Sequence, residues 1–350
     1  MKVSYENFGQ MENKTIHSYT LVNDHGVEIT AMNYGCIITK IITPDKVGNY
    51  ENIVLGYDSF AEYEKNPSFF GAVCGRVAGR IKGGVFELDG QEYSLVKNDN
   101  GNHLHGGSKG FDKVVWDAEI IENDHEVGVQ FSYVSPDGEE GYPGNLTIKV
   151  AYMLNNENEL SIHYSSHTDQ KTLLNVTNHS YFNLSGDLKR DILSHSLKIK
   201  SDRFLELGED LLPTGIFKDV ENTPFDFREE RIIETGVVSG HPQNLLAGNG
   251  YDHPFLLNKN HDNEIVLKDP ESGRTLTIET DEVGVVLYSG NSLSTDGVIR
   301  GTQSRKHLGI CLETQGLPDA IHHPNFPSTI LEKGQQYNSI TKYRFGVTEL

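Results

Sequence analysis

The sequence predicts an all-β fold, a large antiparallel β-sandwich formed as a single domain by residues 1–350. Three observations indicate this fold: apolar and polar residues alternate with a period of two along most of the chain, helical periodicity is scarce, and 35 glycines with many Asn and Asp turn signals separate short extended segments. No Pro/Ser-rich linker, low-complexity segment or convincing repeat divides the chain. We therefore expect the functional residues on loops or on one open sheet face.

The predicted elements follow one another along the chain. The best candidate for a helix is the short segment 59–65. Asp89-Gly90 readily takes the positive φ angles of a tight hairpin turn, and residues 155–159 are predicted as a longer hairpin loop. The two strands between residues 274 and 289 are predicted to pair with each other. The predicted strands are, in chain order, 85–88, 91–95, 146–154, 160–165, 274–280, 283–289 and 336–347.

Charge and composition exclude several kinds of partner. With 30 basic and 50 acidic residues the formal charge is -20, so the surface should repel nucleic acid and anionic lipid while remaining indifferent to a neutral sugar. The amino terminus has no apolar stretch typical of a signal peptide, and no uncharged run could span a bilayer. Three scattered cysteines fit neither a disulfide framework nor paired zinc ligands. We expect a cytoplasmic protein with no nucleic-acid or membrane partner.

Two segments carry the side chains that most suggest catalysis. Residues 177–184, Thr-Asn-His-Ser-Tyr-Phe-Asn-Leu, contain His179, and residues 311–315, Cys-Leu-Glu-Thr-Gln, contain Glu313. A carboxylate and an imidazole brought together in a cleft form a general base and a general acid, which can move two protons without metal or cofactor. In isolation His179 is more often a hydrogen-bonded core histidine. Glu313 is harder to explain structurally, because this acid continues a strand-like run, residues 309–312.

Four other segments concentrate polar groups that are costly to bury unless they are paired or used. They contain Arg76 and Arg80, His103 and His105, Asp252 before His253, and His322-His323 after Asp319. Taken singly, each has an ordinary explanation. The arginines would be surface or ion-paired residues, the first two histidines would face one side of an extended segment, Asp252 would cap a turn, and His322-His323 would be loop surface.

Metal and cofactor sites are not predicted. His103 and His105 have the spacing of a cupin metal-ligand pair, but such sites add a carboxylate shortly afterwards, and residues 106–111 supply none. The sequence has no phosphate-binding loop, no dinucleotide fingerprint and no serine nucleophile elbow. We therefore expect an enzyme that uses neither a metal nor a cofactor.

Taken together and in order, these segments closely resemble the aldose 1-epimerases, also called galactose mutarotases. Each motif is a modest signal, whereas six in order along nearly the whole chain are specific. The resemblance implies a galactose mutarotase-like supersandwich with a free hexose, such as galactose or glucose, in an open cleft. The matching segments are residues 75–81, 102–107, 177–184, 251–253, 288–291, and 311–315 with 318–320.

The same resemblance implies roles for five residues. Glu313 would be the general base that takes the proton of the anomeric hydroxyl, and His179 the general acid that protonates the ring oxygen. Arg80, His105 and Asp252 would contact the sugar. A nearby carboxylate favours imidazolium, so we expect the pKa of His179 to be raised.

Two departures and two alternatives remain open. Gly79 stands where many members have Asn, and Val286 where some have Gln, which bears on recognition rather than on the acid–base pair. One alternative is a hexose-6-phosphate 1-epimerase in which Arg76, with Lys109 or Lys113, binds the phosphate. The other is a carbohydrate-binding protein without catalysis on the same fold. Either a monomer or a homodimer is compatible with the sequence.

Overall fold

The computed structural model describes residues 1–348, and residues 349 and 350, the end of the predicted domain, lie outside the described residues. Short strands dominate it, which confirms the all-β prediction. In chain order they are β1 (Lys2–Met11), β2 (Lys14–Val22), β3 (Glu28–Met32), β4 (Ile38–Pro44), β5 (Tyr50–Asn52), β6 (Val73–Cys74), β7 (Arg80–Ile81), β8 (Val85–Leu88), β9 (Gln91–Ser94), β10 (His103–Leu104), β11 (Asp117–Glu122), β12 (Glu126–Ser135), β13 (Leu146–Asn155), β14 (Glu159–Thr168), β15 (Thr172–Leu173), β16 (Thr177–Asn178), β17 (Tyr181–Phe182), β18 (Ser196–Ile199), β19 (Arg203–Leu207), β20 (Pro213–Asp219), β21 (Arg231–Ile232), β22 (Asp252–Leu256), β23 (Ile265–Lys268), β24 (Arg274–Thr280), β25 (Gly284–Tyr288), β26 (Val298–Ile299), β27 (Thr302–Gln303), β28 (Ile310–Gln315), β29 (Ile330–Leu331) and β30 (Gln336–Val347).

Three large antiparallel sheets make up the scaffold. The first contains β1 to β5 in chain order, and the second runs β11-β12-β13-β14-β30-β24-β23-β18-β21. The third, which positions the candidate site, runs β17-β28-β25-β22-β19-β20. Five two-stranded pairs connect them: β6 with β16, β7 with β10, β8 with β9, β15 with β29, and β26 with β27.

The helices are few and short. They are α1 (Phe60–Tyr63), α2 (Glu234–Val237) and α3 (Pro242–Leu246), with 3₁₀ turns at Lys82–Gly84, Phe111–Lys113, Glu139–Gly141 and Ala320–His322. α1 confirms the helix predicted at 59–65, and a capping box between Ser59 and Glu62 explains where it begins. Within residues 1–348, no helix has the length and apolar character needed to cross a membrane.

All seven predicted strands are confirmed. Residues 146–154 and 160–165 lie in β13 and β14, and 336–347 coincide with β30. Asp89 and Gly90 join β8 to β9 with φ angles of +52° and +79°, as the hairpin prediction requires.

The predicted pairing of the strands at 274–280 and 283–289 is wrong. β24 pairs with β23 and β30, whereas β25 pairs with β22 and β28. The chain changes sheets at residues 281–283, where Asp281 N–H donates to Ile340 O in one sheet and Leu257 N–H donates to Val283 O beside the other. A short connection therefore joins two sheets here instead of two neighbouring strands.

One apolar core is shared by all three sheets. Ile29 of the first, Val150 and Leu276 of the second, and Leu287 and Leu312 of the third are at most 1% exposed and belong to the same cluster. Full burial of such a side chain contributes ~1.5–3 kcal/mol. The rigid strands β22, β25 and β28 consequently hold the side chains on the far face of the third sheet at fixed positions.

Candidate active site

A cavity of about 250 Å³ lies where the third sheet meets the β7–β10 pair and the segment just before β6. The five residues predicted for the site all line it, although they come from five separate parts of the chain. They are Arg80, His105, His179, Asp252 and Glu313. Chain folding therefore brings together the residues that the sequence motifs single out.

Glu313 projects from β28, all of whose residues are buried. It stands opposite Val286 of β25 in the antiparallel register, and only 4% of it is exposed. Burial raises its pKa well above the usual range, and the carboxylate of Asp252 adds to this, while the Arg80 guanidinium opposes it. Val286 is apolar and offers the Glu313 carboxyl no hydrogen-bond donor.

His179 lies in the short link between β16 and β17. Its backbone is held on both sides, since its N–H donates to Ala72 O and its carbonyl accepts from Gly71 N–H. Tyr181 pairs with Cys311 in the register of β17 and β28, and two residues further along the same register His179 faces Glu313. His179 Nε2 consequently lies 3.6 Å from Glu313 Oε1.

The expectation of a raised pKa for His179 is wrong. Burial lowers the pKa of this imidazole to about 4, because removing the imidazolium from water costs free energy. The Glu313 carboxyl does not offset this cost, since burial also shifts that carboxyl towards its neutral form. The pair therefore shares a single proton over a broad pH range. The residues around His179 and across the cavity from it are Glu313, His105, Cys311, Arg80 and Asp252.

This shared proton leads to a prediction for the pH dependence of activity. The active pair carries one proton, so kcat/KM falls on the acid side only when a second proton binds. Because that step follows the lowered pKa of His179, we expect an acid limb with a midpoint near 4, below the ordinary histidine value of 6.5. Initial rates from pH 3.5 to 8, with folding checked by circular dichroism at each pH, test this. A midpoint at about 6.5 in folded protein would contradict it.

Arg80 and His105 lie on adjacent strands at the cavity rim. Leu104 pairs with Arg80, and His105 leaves the strand with a φ of +49°. Arg80 Nε donates to Asp99 Oδ2 at 2.7 Å, and this bond does not use the terminal nitrogens of Arg80, which lines the cavity. His105 Nδ1 accepts the N–H of Gly79 at 3.2 Å, and burial keeps the His105 pKa well below its usual value. The neutral ring therefore carries its hydrogen on Nε2.

Asp252 begins β22 and lies half-buried on the opposite side. Burial raises its pKa, and the Arg80 guanidinium opposes the shift. Its neighbour His253 is fully buried, with Nδ1 accepting the N–H of Asp252 and Nε2 3.2 Å from Gln243 Oε1. Asp252 thus faces the cavity, whereas His253 supports the strand.

Arg76 is a structural residue. Only 2% of it is exposed, and burial lowers its pKa to about 10. It donates hydrogen bonds to Ser135 Oγ, Ser135 O, Pro136 O, Pro143 O, Gly144 O and Thr172 Oγ1. Arg76 therefore stabilises the surrounding loops from a buried position, whereas Arg80, four residues later, lines the cavity.

His103 and His105 also have different environments, since His105 lines the cavity and His103 does not. The expectation that they face one side is wrong. His103 is fully buried, with Nε2 2.7 Å from the Tyr142 hydroxyl and Nδ1 2.6 Å from Val96 O. The positive φ of His105 turns the chain between them. A cupin-type pair is not formed by these two histidines.

His322 and His323, expected as loop surface, lie beside a buried carboxylate. Asp319 is 2% exposed, and its Oδ1 lies 2.6 Å from His322 Nδ1 and accepts the N–H of Lys82. This hydrogen bond raises the pKa of His322. Asp319 N–H also donates to Arg80 O, so Asp319 holds the backbone of β7, the strand that contains Arg80, through hydrogen bonds.

The donor atoms of His105, His179 and Glu313 lie within 4.8 Å of one another. Two imidazoles and a carboxylate at this spacing are the residues of the cavity that could hold a divalent cation. The same atoms are free to exchange protons with an organic substrate. The absence of a metal from the working site stays a prediction.

The basic residues considered for phosphate binding do not converge on this cavity. Lys109 and Lys113 line a separate cavity of about 200 Å³ with Lys14, Glu139 and Glu140. Arg76 is saturated with hydrogen bonds as described above. The cavity itself has Arg80, already paired with Asp99, and two carboxyl groups, which is a poor environment for a phosphate dianion.

Sequence reasoning missed several lining residues. Phe69 and Leu207 were not singled out, and neither was Gln315 as a separate residue of its motif, yet each lines the cavity. Phe69 carries one signal, because it belongs to the aromatic pair before Gly71 in a segment otherwise rich in polar residues. Leu207 lies in an ordinary strand pattern and could not have been distinguished.

Comparison with known proteins gives one consistent result. A protein-family model described as Aldose 1-epimerase matches residues 17–344. The galactose mutarotase of Bos taurus is 41% identical over 338 residues, 95% of this chain and 95% of its own, and the aldose 1-epimerase of Escherichia coli (strain K12) is 35% identical over 332 residues, 93% of this chain and 94% of its own. Among solved structures, galactose 1-epimerase from Lactobacillus acidophilus NCFM has a TM-score of 0.89 at 30% identity and covers 99% of both chains.

Proposed function

The chain belongs to the aldose 1-epimerase family and is a carbohydrate epimerase, and from this premise we propose that it interconverts the α and β anomers of free hexoses such as galactose and glucose. The observation that carries the proposal is the 3.6 Å separation of His179 Nε2 and Glu313 Oε1 in a cavity lined by further polar groups. The anomeric and ring oxygens of a pyranose are bonded to the same carbon, so the base and the acid must lie close together.

In the proposed mechanism Glu313 accepts the proton of the anomeric hydroxyl, and His179 donates a proton to the ring oxygen. The electron pair of the breaking bond between the anomeric carbon and the ring oxygen ends on that oxygen, and an aldehyde forms. Rotation about the adjacent carbon–carbon bond exposes the other carbonyl face. Closure reverses both proton transfers, so neither a metal nor a cofactor is consumed.

The shared proton of the pair must start on His179. Burial favours the neutral forms of both groups, and the Arg80 guanidinium favours the ionised form of Glu313. At 3.6 Å a small shift of either side chain permits the proton to pass directly between them. Arg80 therefore assists the base electrostatically as well as contacting sugar.

Arg80, His105 and Asp252 supply complementary contacts for hydroxyl groups. The terminal nitrogens of Arg80 and the Nε2–H of His105 donate, and the Asp252 carboxylate accepts. This mixture suits a neutral polyol. The carboxyl groups of Glu313 and Asp252 disfavour an anionic substrate, so we favour free hexoses over hexose 6-phosphates.

We further propose that the chain acts as a single domain in the cytoplasm, as a monomer or a homodimer and without a cofactor. Its three cysteines, Cys36, Cys74 and Cys311, are free and buried, which fits a reducing compartment. The formal charge of -20 supports the expectation that it binds neither nucleic acid nor anionic membranes.

The direct test is polarimetry with the wild-type protein. Freshly dissolved α-D-galactose and α-D-glucose should relax to their normal final rotation faster than in protein-free buffer, while α-D-glucose 6-phosphate should relax at the buffer rate. Acceleration of the phosphate alone would support the hexose-6-phosphate alternative. Sugar binding by calorimetry without any acceleration would support a carbohydrate-binding protein.

A further inference from the structure

Phe69 has a backbone conformation that a bulky residue rarely adopts. Its φ is +58°, in the left-handed region, where a side chain with a Cβ is strained by ~1–3 kcal/mol. It is half-buried and lines the catalytic cavity. Strain of this kind persists only where the surrounding structure imposes it.

The surrounding structure is the segment of residues 66–72, here named the Phe69 loop. The Asn66 side chain, 3% exposed, accepts the N–H of Phe70 and donates to Phe70 O. Phe69 N–H donates to Asn66 O, and Phe69 O accepts from Ala72 N–H. These bonds close the loop upon itself and hold Phe69 in the left-handed conformation.

The Phe69 loop is bonded directly to the backbone of His179. Gly71 N–H donates to His179 O at 3.0 Å, and His179 N–H donates to Ala72 O at 2.8 Å. Gly71 has a φ of +68°, and a Cβ there would lie 2.0 Å from Ile38 O, so the loop cannot take another residue at this point. The two backbone hydrogen bonds therefore couple the position of the Phe69 loop to that of His179.

The Phe69 ring packs against both histidines of the cavity. Its centroid lies 4.8 Å from that of His105 and 5.9 Å from that of His179, nearly parallel to the latter at 26°. Tyr181 also lies nearly parallel to His179, at 5.1 Å and 27°. His105 and His179 approach each other edge to face at 5.1 Å.

The Nδ1 atom of His179 has a thiol as its side-chain hydrogen-bonding partner. It lies 3.5 Å from Cys311 Sγ, a weak hydrogen-bonding partner, where many catalytic histidines have a carboxylate or a carbonyl. Packing must then hold the ring so that Nε2 points at Glu313. Aromatic contacts of this geometry contribute ~0.5–1.5 kcal/mol each, enough to select one ring orientation.

We propose that Phe69 is a positioning residue, whose ring holds the imidazoles of His179 and His105 in the orientation required for proton transfer and sugar contact. This inference rests on the proposed function for its kinetic consequences. Its structural core, the control of two histidine environments by one ring, stands independently. The strained backbone of Phe69 is explained, because an extended conformation would withdraw the ring from both histidines.

The first test uses Phe69→Leu, which removes the ring and retains apolar volume. We expect kcat for galactose to fall by ~10–100-fold while KM stays within about threefold, since small misplacements of a catalytic group act on the chemical step. Phe69→Tyr keeps the ring and should retain at least a third of wild-type kcat. The control is Phe60→Leu, which removes a more deeply buried ring packed on Tyr34 away from the cavity and should lower stability without this loss of kcat.

The second test needs no turnover. Histidine ring resonances are followed by NMR as a function of pH, with His179→Asn and His105→Asn used for assignment. In Phe69→Leu the pKa of His179 should move up towards 6.5, because water reaches the ring, whereas Phe60→Leu should leave it unchanged. If the wild type proved inactive, this titration would still decide the positioning role.

Three results would overturn the proposal. They are an unchanged His179 titration in folded Phe69→Leu, a kcat within twofold of wild type, and a loss confined to KM, which would make Phe69 a sugar-contact surface instead. If Phe69→Leu fails to fold, Phe69→Met, with a flexible side chain of similar volume, replaces it in both measurements under the same criteria.

Discussion

Replacing Glu313 by Gln should lower kcat by about 10³-fold or more, with KM for galactose changed by no more than a few fold. The amide has the shape of the carboxyl group but cannot accept the proton of the anomeric hydroxyl, and a positioned base contributes ~10²–10⁴-fold to such a reaction. Sugar contacts from Arg80, His105 and Asp252 remain in place. Polarimetry across a range of sugar concentrations separates kcat from KM.

The control for this variant is another glutamate, Glu282, which is half-buried. Glu282 also has a pKa raised by burial, but it accepts hydrogen bonds from the Tyr337 and Ser339 hydroxyls outside the cavity, so Glu282→Gln should keep normal kcat. His179→Asn should lose less than Glu313→Gln because a water molecule can partly replace the acid. Normal turnover by Glu313→Gln would remove Glu313 from the mechanism.

Replacing Arg76 by Met should lower the free energy of unfolding by about 3–5 kcal/mol, because several buried oxygens lose a charged donor and each buried group left unpaired costs ~1–3 kcal/mol. The substitution would leave buried carbonyl groups of Ser135, Pro136, Pro143 and Gly144 without their donor. This is a large fraction of the ~5–15 kcal/mol that stabilises a typical domain. The shift of the urea unfolding midpoint measures it.

Arg80→Met is the matched control, because Arg80 pairs with Asp99 at the rim of the cavity and its side chain is 20% exposed. We expect this variant to keep most of its stability and to lose sugar turnover, the reverse of Arg76→Met. Arg76→Lys should fall between wild type and Arg76→Met, since an ammonium group donates three hydrogen bonds. An unfolding midpoint for Arg76→Met equal to that of wild type would refute the structural role.

The two arginines illustrate what sequence spacing leaves undecided. Arg76 and Arg80 occupy similar surroundings in the sequence, among small residues, and either could have been the cavity residue from spacing alone. The resemblance to a family selected Arg80, and the structure places Arg80 in the cavity. Arg76 is buried instead because the end of β12 and the loop before β13 place hydrogen-bond acceptors around its guanidinium group.

The strands between residues 274 and 289 show a second limit. Their alternation is sufficient to predict both strands, whose bounds agree with β24 and β25 within one residue. Their partners were predicted wrongly, because period-two alternation specifies which face of a strand is buried and not which neighbour pairs with it. Contacts with β30 and β28, distant in sequence, made that choice.

The lowered pKa of His179 is a third case. Pairwise chemistry correctly identified an imidazole beside a carboxyl group, but the direction of the shift depends on how much water both groups lose. Burial to about 5% exposure makes desolvation the largest effect. A sequence does not report burial of a polar residue in a short link between strands.

The sequence by itself determined the fold class, the hairpin at Asp89-Gly90 and, through its ordered motifs, the residues expected at the site, because strand periodicity, turn chemistry and motif order are local properties of the chain. Tertiary structure alone decided which strands pair, that Arg76 and His103 are buried supports, and that Phe69 packs on His105 and His179. These depend on contacts between segments far apart in sequence, and on the burial those contacts create, which no local pattern records.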